Sequence, residues 1–209
     1  MTDEIQTSRE NEGLTSRIPW KIALVAGIIA FVVVFGLVAV LIEVELMLED
    51  DDIAVEDDEA DVGEEPGFIT ERGWAFFSAH FVDVEGTAQT VFGDVDVTLD
   101  ILDEWLESLP ALLFYLVPIL GLIAAGFAVV RREIASVQSE QDSVLFGASI
   151  VTGYLPLVLL GILLFTWEVD DGEAMLSYEV QFLEGLLLAG ILFPLIFGAI
   201  GGYMAYRRQ

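Results

Sequence analysis

The sequence predicts an all-α membrane protein: a four-transmembrane-helix bundle built as two repeated hairpins, with a small extracellular cap between spans one and two. Three observations predict it. Segments 22–42, 109–130, 143–167 and 185–206 contain no charged residue, and about 20 apolar residues at 1.5 Å rise cross a ~30 Å hydrocarbon core. The chain is 55% hydrophobic yet carries a formal net charge of −27, so its apolar and acidic residues must be segregated. Finally, LVPILGLIAAGFAVVRR at 116–132 matches LFPLIFGAIGGYMAYRR at 192–208 without a gap: Pro118 falls on Pro194, Gly126 on Gly202, and both segments end in Arg-Arg. Apolar spans also resemble one another by composition alone, and that is the rival explanation of the match.

The polar segment 1–19 is expected to be a disordered cytoplasmic tail. It is long and mostly acidic, unlike the basic start of a secretory signal, and no small-residue cleavage site follows the apolar run. The first span, 20–44, is therefore expected to stay in the mature protein. Pro19 and Trp20 suit a helix start at headgroup level, where Lys21 can snorkel.

The stretch 45–108 reads as an acidic extracellular loop and cap. Nine carboxylates fall within the thirteen residues 49–61, a density that favours a solvated, extended chain. A calcium loop starting at Asp57 would need Gly sixth and an acid twelfth; Val62 and Phe68 stand there instead. Next, GFITERGWAFFSAHFVDV at 67–84 places Trp74, Phe77 and Phe81 on one helical stripe. Such a face would lie in the membrane interface or cap the bundle. His80 is the only histidine, and with Asp83 and Glu85 it forms a weak candidate metal group; a packing or interfacial role is the simpler reading. The alternation of Val95, Val97 and Leu99 with Asp94, Asp96 and Thr98 predicts a short half-buried strand, with Gly93-Asp94 as a turn and 90–92 as its partner. From Thr98, the spacing of Leu99, Leu102, Leu106 and Leu109 predicts a helix running towards the second span.

The second span, 109–132, contains Pro118, and a short cytoplasmic loop, 133–142, follows it. The third span, 143–167, carries Pro156. A short acidic extracellular loop, 168–183, leads to the fourth span, 184–208, with Pro194 and a cluster of small residues around Gly198. A proline inside a span removes one backbone hydrogen bond and usually kinks the helix. Kinks at similar depth would shape the bundle or open a hinge.

Orientation follows from the basic residues near span ends. Arg17, Lys21, Arg131, Arg132, Arg207 and Arg208 would share one side, so both termini are expected to be cytoplasmic in a multi-pass cell-membrane protein. The acidic excess lies on both sides and fits a high-salt habitat. It excludes a nucleic-acid partner, because no basic patch exists. With no cysteine in the chain, thiol chemistry and cysteine-based metal sites are excluded.

No nucleophile elbow, HExxH or phosphate loop occurs. The chain is expected to be no enzyme and to need no cofactor. Within the spans, Ser149, Thr152 and Tyr154 are the best candidates for an interhelical contact or a polar pocket, together with Pro118, Pro156 and Pro194. No Asp, Glu, Lys, Arg or His lies in the four uncharged runs, where ion-coupled transport normally needs such groups.

Four spans, extreme acidity and GWAFFSAHFVDV after the first span resemble an uncharacterised group of small haloarchaeal membrane proteins, loosely called transporter-like. The resemblance covers the whole layout, and in motif Trp74 to Val84 and the span ends. It implies an archaeal, halophilic membrane protein. The expected function is a structural or envelope-associated role whose partners are the lipid bilayer and either a second copy or another membrane protein. The alternative is a small permease or channel-like transporter.

Overall fold

A computed structural model describes residues 19–49, 66–90, 93–170 and 174–208. The tail with Arg17 and the acidic run beyond Glu49 lie outside them. Four helices are long and apolar enough to cross a membrane: Trp20–Leu48, Leu112–Arg132, Glu140–Leu164 and Phe182–Arg207. The first lies within α1 (Trp20–Glu49), and the second is α4 (Leu112–Arg132). The third comprises α5 (Glu140–Ala148) and α6 (Val151–Leu164). The fourth starts as α7 (Phe182–Glu184), widens to a π-helix over Gly185–Leu192, and ends as α8 (Phe193–Arg207).

The spans pack through backbone contact at glycines. A Cβ on Gly126 of α4 would overlap the Gly198 carbonyl of α8, and one on Gly147 of α5 would overlap the same group. Gly27 of α1 meets Ile150 and Tyr154 of the third span in the same way. Small residues are what let helix backbones close when lipid supplies no hydrophobic drive between them. Round the bundle, span one therefore touches two, two touches four, four touches three, and three touches one.

The matched sequences of spans two and four pack against each other.

The all-α expectation needs correction. The cap contains a four-stranded antiparallel sheet in the order β2-β1-β4-β3, formed by β1 (Val84–Thr90), β2 (Gly93–Leu99), β3 (Trp167–Asp170) and β4 (Ala174–Val180). The loop between spans one and two and the loop between spans three and four thus become one structure. The first hairpin is longer than its sequence signal: Thr90 pairs with Gly93 and Val84 with Leu99. Gly93 opens β2 at φ +128°, a conformation that favours glycine. Both faces of β2 are exposed apart from its end at Leu99, so the expected half-buried strand is wet on both sides.

The helix expected from Thr98 to the second span is also shorter. α3 covers only Ile101–Trp105, capped by the Asp100 carboxylate on the N–H groups of Leu102 and Asp103. Glu45 of α1 is the reason it stops. Its buried carboxylate accepts the backbone N–H groups of Glu107 (2.8 Å), Ser108 (2.6 Å) and Leu109 (2.7 Å). Those donors cannot also serve a helix, and Pro110 follows directly.

Candidate functional site at a re-entrant helix

The aromatic segment expected to lie in the membrane interface or to cap the bundle is packed inside the protein. α2 (Phe68–Ser78) starts at the cap with Phe68 and Ile69 exposed, and every residue from Arg72 to Ser78 is buried. A helix buried all round is a core element, not an interfacial one. α2 runs down among the spans. Arg72 is ion-paired to Glu43 and Glu71, and its guanidinium lies 4.0 Å from the Phe68 ring centroid. Half a turn further on, Trp74 donates Nε1–H to the Phe165 carbonyl at 2.9 Å. Phe76 then packs on Phe31 and Phe35 of the first span, with ring centroids 5.0 and 5.8 Å apart. Gly73 admits the Phe165 ring, where a Cβ would overlap it, and a Cβ added at Gly185 would come 3.4 Å from the Phe77 ring.

The chain reverses at Ala79–Val82 and returns to β1. Phe81 sits at φ 60°, an uncommon conformation for a bulky residue. Its ring stacks on Tyr115 at 4.5 Å and packs against Phe193 at 6.1 Å, contacts that hold the strained turn in place. His80, at the tip, is fully buried. Nδ1 is 2.7 Å from the Phe76 carbonyl and Nε2 is 2.8 Å from the Tyr154 hydroxyl. A carbonyl only accepts, so Nδ1 carries the hydrogen and Tyr154 donates its O–H to Nε2. Burial pushes the imidazole pKa down to about 4, against a smaller opposing effect of the Phe76 carbonyl. The ring is therefore neutral at physiological pH. Its other ring neighbours, Phe76 at 4.5 Å and Phe193 at 5.0 Å, bring no charge.

Depth gives this pair its interest. Tyr154 lies ten residues before Leu164, the end of its helix, which is ~15 Å at 1.5 Å per residue. His80 therefore reaches about half-way down the bundle, and the expectation of no ionisable side chain there fails. A signal was available. The ten residues 73–82, GWAFFSAHFV, carry no formal charge. That length is too short to span and suits a re-entrant segment.

The family model described as "Family of unknown function (DUF7978)" matches residues 2–209. The chain belongs to this family. No curated protein and no solved structure matches it.

The weak metal candidate of this DUF7978 chain dissolves in the fold. Both His80 nitrogens are engaged by Phe76 and Tyr154, while Glu85 is exposed on β1. Among the described residues no three His, Asp or Glu side chains form a group able to hold a metal. Asp83 sits at the sheet base, where burial, and then the charge of Asp100, raises its carboxyl pKa above the ordinary value.

The polar residues of the third span bond locally. Ser149 donates to the Phe146 carbonyl at 2.5 Å and Thr152 to the Ser149 carbonyl at 2.8 Å. Such back-bonding competes with the helix ladder, and the helix is interrupted at 149–150. Of the three hydroxyl candidates, only Tyr154 joins the site. Pro118 and Pro156 lie inside α4 and α6, the first buried and the second exposed. Pro194 follows the π-helix; it has no N–H to offer the preceding turn. Lys21 and Arg132 line one groove at the end of the bundle away from the cap. Arg207 donates to the Tyr203 hydroxyl at 2.9 Å, Arg208 lies 6.0 Å from the Phe127 ring centroid, and Arg131 is exposed.

Sequence reading missed Glu45, Arg72 and the strands β3 and β4. Trp167-Glu-Val-Asp and Leu176-Ser-Tyr-Glu-Val180 alternate with period two around Asp171-Gly172, a hairpin signal. Arg72, the one Lys or Arg of the acidic segments 45–108 and 168–183, pointed to an ion pair.

Proposed function

We propose that this chain is a non-enzymatic multi-pass membrane protein of a halophilic archaeal envelope, and that its work is contact with a protein partner through the β-sheet cap. Both termini face the cytoplasm, as the basic span ends require, and the cap faces outward. One observation carries the reading. The outer half of the bundle, where a solute path would open, is filled by the re-entrant α2 and its aromatic shell. The cap, by contrast, leaves β2 as an exposed edge strand, with Val95 57% and Val97 45% exposed. An edge strand offers unpaired backbone groups to another chain. A second copy and a different membrane protein are both partners of this kind.

A photo-reactive residue at Val97 should give a discrete crosslinked protein in native membranes, and one at Leu163 on the lipid-facing surface should not. The reading fails if Val97 yields no adduct in membranes where the chain is abundant. Single cysteines at Glu104 and Ser136, in a chain without native thiols, test the orientation. The first should label from outside intact cells and the second only after permeabilisation.

A small permease is the second reading. The buried His80–Tyr154 pair beside a π-helical stretch favours it, since ionisable groups and irregular turns at bundle depth are common in transport sites.

A further inference from the structure

A groove of about 580 Å³ runs between the first and second spans. It closes at Gly121, where an added Cβ would come within 2.6 Å of a Val34 methyl. From there the groove runs to Lys21 and Arg132. Its wall is apolar, formed by residues such as Ile29, Val33 and Ala125, and its mouth carries these two cations. Val33 lies twelve residues beyond Lys21, ~18 Å along the helix, which is about one leaflet of a ~30 Å core.

We propose that this groove binds one anionic phospholipid of the cytoplasmic leaflet. One lipid chain lies along Ile29, Val33 and Ala125, and the phosphate sits between Lys21 and Arg132. Charge complementarity selects this occupant. Arg207 and Arg208, at the same end, rest on Tyr203 and Phe127. Lys21 and Arg132 form no ion pair with a described residue and flank the only polar end of an otherwise apolar slot. An apolar helix from a partner would bring no charge for them. A free anion would leave the slot empty.

The inference rests on the membrane reading, and the experiment separates the two. Full-length protein would be reconstituted into nanodiscs of equal phosphatidylglycerol and phosphatidylcholine, then stripped with mild detergent, and retained lipid counted by native mass spectrometry. The expected result is one phosphatidylglycerol per chain, retained at least tenfold over phosphatidylcholine. Lys21→Gln with Arg132→Gln should abolish the preference. Ala125→Leu, which fills the slot and leaves the cations, should reduce retention of both lipids. Equal retention of the two lipids by the wild type, or a preference unchanged in the double variant, would overturn the proposal. Failure of the wild type to insert into bilayers, read by carbonate extraction, would defeat the membrane reading itself.

Discussion

Tyr154→Phe removes one oxygen atom from the centre of the protein and nothing else. In the wild type the Tyr154 O–H donates to His80 Nε2 at 2.8 Å, and both side chains are fully buried. The variant leaves Nε2 without a donor in an aromatic shell that has none to lend. A buried polar group left unsatisfied costs about 1–3 kcal/mol, or roughly 2–4 °C of melting temperature per kcal/mol for a chain of this size. His80→Leu should cost a similar amount, since it orphans the Tyr154 hydroxyl. The combined variant orphans neither group, so its loss should fall short of the sum by ~1–2 kcal/mol. The four proteins would be unfolded reversibly in mixed micelles and the coupling read from the cycle. A Tyr154→Phe protein as stable as wild type, or strictly additive losses, would show that the pair is not formed and that α2 does not reach this level.

Three further outcomes are expected. Because His80 titrates near 4 when folded but near 6.5 when unfolded, the unfolded chain takes up the proton first as pH falls. Stability should be full above pH 6.5 and decline by ~2 kcal/mol between pH 6.5 and 5, and this slope should vanish in His80→Phe. Glu45→Gln replaces a carboxylate that holds three backbone N–H groups by an amide with one acceptor, and should lose at least ~2–3 kcal/mol, with faster hydrogen exchange confined to 106–110. Gly198→Val forces a side chain into the crossing of spans two, three and four; it should cost more than ~3 kcal/mol or abolish folding, whereas Gly36→Val, with nothing near its Cβ, should behave as wild type in the same assay.

The four long helices were legible because length and hydropathy alone decide whether a helix can cross a membrane. The glycines of spans three and four were legible as contact points, though not which helix each would meet. The sheet was half legible. β2 announced itself through Val95, Val97 and Leu99, but β3 and β4 were hidden inside a segment whose acids suggested a loop. Pairing of Val84 with Val180 joins residues nearly a hundred apart, and no local pattern encodes that. The re-entrant helix was least legible. Periodicity shows that Trp74, Phe77 and Phe81 share a stripe, but not whether lipid or protein covers it. Here protein covers the whole circumference from Arg72 to Ser78, and of the packing and interfacial roles open to His80 the fold gives it the packing one. Glu45 was overlooked because it reads as the end of a span, whereas its partners lie more than sixty residues away.

Flux through the reconstituted protein is the most direct test of the claim that α2 seals the bundle. In proteoliposomes at high salt, with a panel of monovalent and divalent ions and small neutral solutes, the wild type should leak no faster than protein-free vesicles. Deletion of 68–82, which removes the re-entrant element, should raise the leak if that variant folds and inserts. Selective, saturable flux through the wild type, sensitive to His80→Phe or Tyr154→Phe, would contradict the account and install the permease reading in its place.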